Sequence, residues 1–224
     1  MIKLTKGPEP EILLTHGAIW TETIVSKLAA NDELTNAEKT RYRHPQIKAS
    51  LISETSGKCA YCESKVLHIH HGDVEHVVPK SLRPELTVEW DNLTLACEIC
   101  NQNKSNHDPY AEHIIDPYVA EPTDHLMFAG ALVLSKGSVA GTSTRTIIDL
   151  NRGELSERRK ERLQALINVY EQIMRDDLPM ATRKALYQNL LQEDVSPSAP
   201  YSAMANALVE QMKAHLPDEI TSTV

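Results

Sequence analysis

Cys59-Ala-Tyr-Cys62 and Cys97-Glu-Ile-Cys100 bracket a stretch that contains Asp73-Val-Glu75-His76-Val-Val-Pro79-Lys80 and then Trp90-Asp-Asn92-Leu-Thr-Leu. Asn101-Gln-Asn-Lys104 follows the last cysteine directly. Two Cys-x-x-Cys pairs offer four soft thiolates, a donor set that suits tetrahedral zinc. Four thiolates close the coordination sphere and leave no position for water, so the zinc they predict is structural. The 34 residues between Cys62 and Cys97 exceed an ordinary zinc-ribbon gap, which means that a further element is inserted between the knuckles. The other reading of the cysteines, two disulfides, belongs to oxidising compartments. Residues 1–14 hold no apolar stretch of signal-peptide length, and no run of about eighteen apolar residues occurs anywhere, so no membrane span is expected. The expected compartment is the cytoplasm, where paired cysteines hold metal.

Outward from that stretch, the apolar periodicity is mostly helical. Ile19, Trp20, Ile24, Val25 and Leu28 predict a helix over 17–30. A second runs from Asn36, is interrupted at Pro45, and ends at Glu54 before Gly57. Inside the insertion the period changes to two: 66–70 and 74–78 read as a β-hairpin about the Gly72-Asp73 turn. Residues 90–95 read as an apolar turn, and the segment after Cys97 as a short helix. A second β element is expected over 125–146, with strands at 126–128 and 131–134. Asn151 and Glu154 form a capping-box pattern, flanked by Leu150 and Leu155 as a hydrophobic staple, for a helix to about Arg175. Helices from Pro179 to Leu191 and from Tyr201 to His215 follow, separated by a linker at 195–200.

Hydrophobic residues make up 41% of the 224 and charged residues 24%, ordinary for a globular chain. The net charge of −8 argues against autonomous nucleic-acid binding, and the segment 58–108 does not reverse it, with five Lys/Arg against eight Asp/Glu. The densest basic cluster, Arg158, Arg159, Lys160 and Arg162, is interleaved with Glu154, Glu157 and Glu161 and reads as a solvated, salt-bridged helix face. His68, His70 and His71 alternate before the turn, either facing solvent or adding a ligand or substrate contact.

Taken in order, an acidic residue and His on a strand with a nearby Pro, then Trp-x-Asn-Leu, then Cys-x-x-Cys-Asn-x-x-Lys resembles the HNH (ββα-metal) endonuclease family in its Cys-x-x-Cys-flanked form. The resemblance implies a metal-dependent phosphodiester hydrolase. His76 matches the general base, Glu75 and Asn101 the oxygen ligands of one catalytic divalent ion, and Asn92 the residue that braces the loop and orients the base. Lys104, one helical turn after Asn101, and Lys80 are expected to contact nucleic acid. Glu75 stands where many members have Asp, and Asn101 where many have His; the harder oxygen donors favour magnesium or manganese as the catalytic ion.

Met1-Ile-Lys-Leu with Pro8-Glu-Pro, His44-Pro45, Gly57-Lys58-Cys59, Asp116-Pro117, His125-Leu126 and Asp149-Leu150-Asn151-Arg152 carry the similarity over most of the chain to about Arg175. They resemble the HNH subunit of Septu-type antiphage defence systems, the PtuB family, which also occurs with some retrons. That resemblance implies a DNA-cleaving subunit that works with an ABC/SMC-like ATPase of the PtuA type, which would reconcile an acidic chain with a nucleic-acid substrate. An RNA-cleaving, toxin-like HNH nuclease and a zinc-stapled assembly module with a vestigial centre are the competing readings. The expected fold is α+β: a helical region over 1–57, a zinc-stapled HNH module over 58–110, and an accessory β-hairpin with C-terminal helices over 111–224.

Overall fold

Pro10 opens the first helix, because its fixed φ (−61°) is already helical and its carbonyl accepts the N–H groups of Leu13 and Leu14. The computed structural model, which describes residues 1–66 and 71–222, therefore starts α1 (Glu11–Ala29) earlier than the periodicity alone suggested. Thr35 and Glu38 form a reciprocal capping box on the short α2 (Asn36–Lys39). A 3-10 turn, Arg41–Arg43, then leads into α3 (Pro45–Glu54), with Pro45 at its first turn, which is the interruption read from the sequence.

The two strands of the central module differ from expectation. Residues 67–70, most of the predicted first strand, lie outside the described residues. β1 (Asp73–His76) pairs instead with β2 (Leu93–Ala96), antiparallel, with Glu75 opposite Thr94 and His76 opposite Leu93. The expected apolar turn over 90–95 covers most of β2: Leu93-Thr94-Leu95 alternates for only three residues, and all four strand residues, the polar Thr94 included, are buried. Only 90–92 is a turn. α4 (Glu98–Lys104) packs on β1 and completes a ββα unit.

In the C-terminal part, α5 (Pro122–His125) precedes the hairpin β3 (Leu126–Ala129) and β4 (Leu132–Ser135). The β element stops there: residues 139–147 form α6 (Val139–Ile147), not a return strand. Its β-branched residues suggested a strand, but the Ser138 hydroxyl accepts the Gly141 N–H at 3.0 Å and caps a helix. Gly141 is required where it stands, since a Cβ would meet the His125 carbonyl oxygen at 2.3 Å. α7 (Gly153–Met174), α8 (Met180–Asn189), a π-type turn at Leu190–Asp194, α9 (Ser202–Lys213) and the short α10 (Asp218–Thr221) finish the chain. The architecture is α+β. One core joins Ile47, Leu51, Trp90, Leu93 and Leu95 to Ile148 and Leu150, drawing on all three segments of the chain. A second core, around Leu166, Ile173, Tyr187 and Val209, holds the last helices together.

Asn151 does not cap α7. Its side-chain oxygen accepts the Val133 N–H at 2.8 Å and its amide donates to the Val133 carbonyl at 2.9 Å, so it acts as one more residue of strand at the edge of β4. Leu150 and Leu155, the expected staple, are both buried in the main core. Because Val133 is itself buried, Asn151→Ala leaves an unsatisfied backbone pair and is expected to cost about 1–3 kcal/mol in urea unfolding. A loss under a few tenths would show that water replaces the amide.

Candidate active site and metal cluster

The first knuckle is a tight turn. Glu63 takes φ of 63° and donates its N–H to the Cys59 carbonyl, while the Ala60 N–H donates to Leu95 of β2. The second knuckle enters α4, with Cys97 at its N-cap. The four sulfurs come together so that all lie within 4.8 Å of one another, and Cys62 and Cys97 are 3.8 Å apart. That separation is the edge of a tetrahedron whose metal–sulfur arms are about 2.3 Å, the zinc–thiolate length. Hydrogen bonding with neighbouring thiols holds Cys62 and Cys97 below the ordinary thiol range, burial pushes Cys59 up, and the neighbouring sulfurs, Cys59 first, push Cys100 up as well. Such a cluster can ionise fully only around a cation. Arg152 supports it from outside: its guanidinium lies 3.6 Å from the Cys100 sulfur and 3.8 Å from that of Cys97.

The flanks of the first knuckle are tied to the far end of the chain. Lys58 Nζ donates to the carbonyls of Pro197 (2.5 Å) and Ala199 (3.0 Å), and Glu63 accepts from the Ser202 hydroxyl at 2.7 Å. Burial pushes the Glu63 carboxyl up, but the terminal ammonium of Met1 and Lys58 outweigh it and hold its pKa at about 2.

β1 and α4 frame a cavity of about 270 Å³ lined by Tyr42, Arg43, Asp73, Glu75, His76, Lys80 and Asn101, among others. His76 Nε2 lies 2.9 Å from the Thr87 carbonyl, which can only accept, so Nε2 carries the proton and Nδ1 is the acceptor nitrogen. Burial holds the His76 pKa down at about 4 against the Thr87 bond, with Lys80, Lys104 and Arg43 pushing the same way, so the ring is neutral at physiological pH. Tyr42 packs edge-on against it, with ring centroids 4.6 Å apart.

Asn92 braces the loop. Its oxygen accepts the Val78 N–H at 2.8 Å, and its amide donates to the carbonyls of Val78 (3.0 Å) and Leu86 (3.1 Å). These bonds hold the 78–87 loop whose Thr87 carbonyl orients His76. Asn92→Ala should therefore cost roughly 1–3 kcal/mol and also disorder the base. A variant with the parent's melting temperature would rule out the brace.

Asn101 donates from Nδ2 to Asp73 at 3.0 Å, which turns its oxygen the other way. Asp73 is thus a third oxygen donor at the site that the sequence reading passed over. The Glu75 carboxyl, pushed up by burial and held back by Lys104, has its Oε1 buried without an aligned hydrogen bond. Oxygen donors of this kind suit a hard divalent ion.

Lys104 does not face substrate. Its side chain is 1% exposed; Nζ donates to the His76 carbonyl at 2.9 Å and lies 2.8 Å from Glu75 Oε1. A lysine that pins two residues of β1 from inside cannot reach a phosphate. Lys80 does line the cavity, with Nζ donating to the Tyr42 hydroxyl at 2.8 Å. The basic cluster on α7 is partly a solvated face, as expected: Arg158 pairs with Glu161 and Lys160 with Glu157. Arg159, by contrast, is buried and donates to the Leu150 carbonyl at 2.6 Å. His71 is exposed, and His68 and His70 lie outside the described residues.

A buried neutral histidine beside clustered carboxylate and amide oxygens, on a ββα unit clasped by two Cys-x-x-Cys turns, defines a class, and residues 59–107 match the family model described as HNH endonuclease. That segment is an HNH endonuclease domain. Two relatives are similar beyond it, both named Septu protein PtuB. The one from Bacillus thuringiensis is 35% identical over 109 residues, covering 48% of this chain and 42% of that protein. The one from Bacillus mycoides (strain KBAB4) is 25% identical, covering 93% of this chain and 89% of that protein. The first alignment thus spans less than half of the relative it matches. Among the described residues no helix is long and apolar enough to cross a membrane.

Proposed function

We propose that this chain is the metal-dependent nuclease subunit of a Septu-type antiphage defence complex, cleaving phosphodiester bonds of DNA in the cytoplasm beside an ABC/SMC-like ATPase subunit of the PtuA type. The observation that carries the nuclease reading is His76, buried, neutral and with Nδ1 as its acceptor nitrogen, on a cavity that also holds Asp73, Glu75 and Asn101. The names of the two relatives support the defence role. The net charge of −8 supports a partner that finds the substrate.

His76 Nδ1 accepts a proton from water as the water oxygen attacks phosphorus; the P–O3′ bond breaks and the 3′ oxygen leaves, taking a proton from solvent. Thr87 holds the tautomer through this step, and Asn92 holds Thr87's loop. Glu75 and Asn101, with Asp73 adjacent, would hold magnesium or manganese, which supplies charge stabilisation to the phosphorus centre and the leaving oxygen. The four cysteines would hold zinc and take no part in the chemistry.

The test is cleavage of supercoiled plasmid and of RNA in magnesium or manganese, with and without the ATPase partner. DNA should be cut and RNA spared, and His76→Ala should lose about 10²-fold or more while keeping its zinc. Equal cutting by His76→Ala sinks the assignment of the base, and preferential cutting of RNA sinks the choice of substrate.

A further inference from the structure

We propose that Arg43, which lies outside the HNH domain, is a catalytic residue of this centre whose guanidinium binds the non-bridging oxygens of the scissile phosphate. The inference rests on the nuclease reading above and names a group that reading does not use.

The Arg41–Arg43 turn is held from both sides. Pro45 starts α3 immediately after it, and the His44 ring accepts the Gln46 N–H at 3.3 Å. Tyr42, 4% exposed, is wedged edge-on against the His76 ring. With its neighbour fixed to the base, Arg43 lines the same cavity as His76, Glu75 and Asn101 while remaining exposed at its mouth.

The other cations of the cavity are committed. Lys80 is bound to the Tyr42 hydroxyl and lies 4.1 Å above its ring, and Lys104 is inside the wall against Glu75. Arg43 has no carboxylate within ion-pair distance among the described residues; its guanidinium rests 5.4 Å from the Tyr42 ring, a contact that keeps the N–H fork available. A phosphodiester presents two non-bridging oxygens that match that fork, and its charge grows as water adds to phosphorus. In a chain of net charge −8, a free guanidinium beside the base is where substrate charge is met.

Arg43→Ala and Arg43→Lys are to be compared with the parent, with His76→Ala, and with Arg158→Ala, whose guanidinium sits in a solvated ion pair on α7. Arg43→Ala should lower kcat on the order of 10²–10³-fold with little change in KM, the range for losing one donor to a developing oxyanion. Arg43→Lys should recover only part of it, and added guanidinium salt should partly rescue Arg43→Ala but not His76→Ala. Zinc content and melting temperature should match the parent, and Arg158→Ala should cut normally. Activity of Arg43→Ala within threefold of the parent, or rescue by any monovalent cation, overturns the proposal. If the parent cuts neither DNA nor RNA with its partner present, the nuclease reading itself fails and Arg43 falls with it.

Discussion

Cys97→Ser should strip the cysteine cluster of its metal and unfold the main core in the same step. Cys97 is the least buried of the four cysteines, so serine fits its space and a loss reports the cluster's metal binding rather than a steric clash. Structural zinc contributes on the order of 10 kcal/mol to small domains, against a net stability of about 5–15 kcal/mol for a whole protein. Losing one thiolate removes most of that contribution. It also leaves Arg152 beside sulfurs that no longer carry charge, and α4 without the link between its N-cap and the first knuckle. Metal analysis should find no bound zinc, and circular dichroism should show loss of helix at a temperature where the parent is folded. A zinc-free variant that melts within a few degrees of the parent would sink the structural-metal assignment.

Lys104→Met should be the most damaging single change away from the cysteines. The substitution keeps the volume but leaves the Glu75 carboxylate buried without its cation and the His76 carbonyl without its donor. Breaking a buried pair from one side costs about 3–5 kcal/mol. The sign of its pH dependence follows from Glu75. Burial already raises that carboxyl above its ordinary range, with Lys104 opposing, and without Lys104 it rises further. A group with a raised native pKa binds its proton more tightly folded than unfolded, so the folded state is favoured at low pH and loses ground as pH rises through the native value. The melting deficit of Lys104→Met, measured with no divalent ion added, should therefore shrink on going from pH 8 to pH 5. A deficit that is flat across that range would mean Glu75 is not the group left exposed to the loss. Lys104→Gln, which keeps a donor for the His76 carbonyl, separates the carbonyl's share from that of the carboxylate.

The parts of the site that were legible in the sequence are those whose neighbours are fixed by local order. Two knuckles with His76, Asn92 and Asn101 in sequence between and after them could be read as one constellation, because a strand and a short helix carry them there. What escaped depends on contacts distant in the chain. Nothing near Arg43 announces that the Tyr42 ring will meet His76. Nothing near Lys104 says that its helix turns it inward onto β1 instead of out toward phosphate, since a lysine one turn past a ligand is compatible with both. Asn151 with Glu154 has the spacing of a capping box, yet Val133 offers a buried backbone pair that the amide satisfies better. Residues 93–96 and 139–147 depart from expectation for separate reasons: four residues are too few for the alternation Leu93-Thr94-Leu95 to mark a strand, and β-branched residues disguise a helix whose start is fixed by Ser138.

The attachment of Lys58 and Glu63 to residues 197–203 has a bearing on how the protein is made. On the ribosome, the cysteines emerge long before the carbonyls of Pro197 and Ala199 that receive the Lys58 ammonium, a separation of 139 residues for the first bond and 141 for the second. Until that late segment arrives, a lysine and a glutamate destined for the interior stay in water beside a half-clasped knuckle. Contacts so distant in sequence form slowly, and this one cannot form at all before residues 197–203 have been made. The first knuckle therefore gains its last internal partners only after the segment that receives Lys58 and Glu63 has been made.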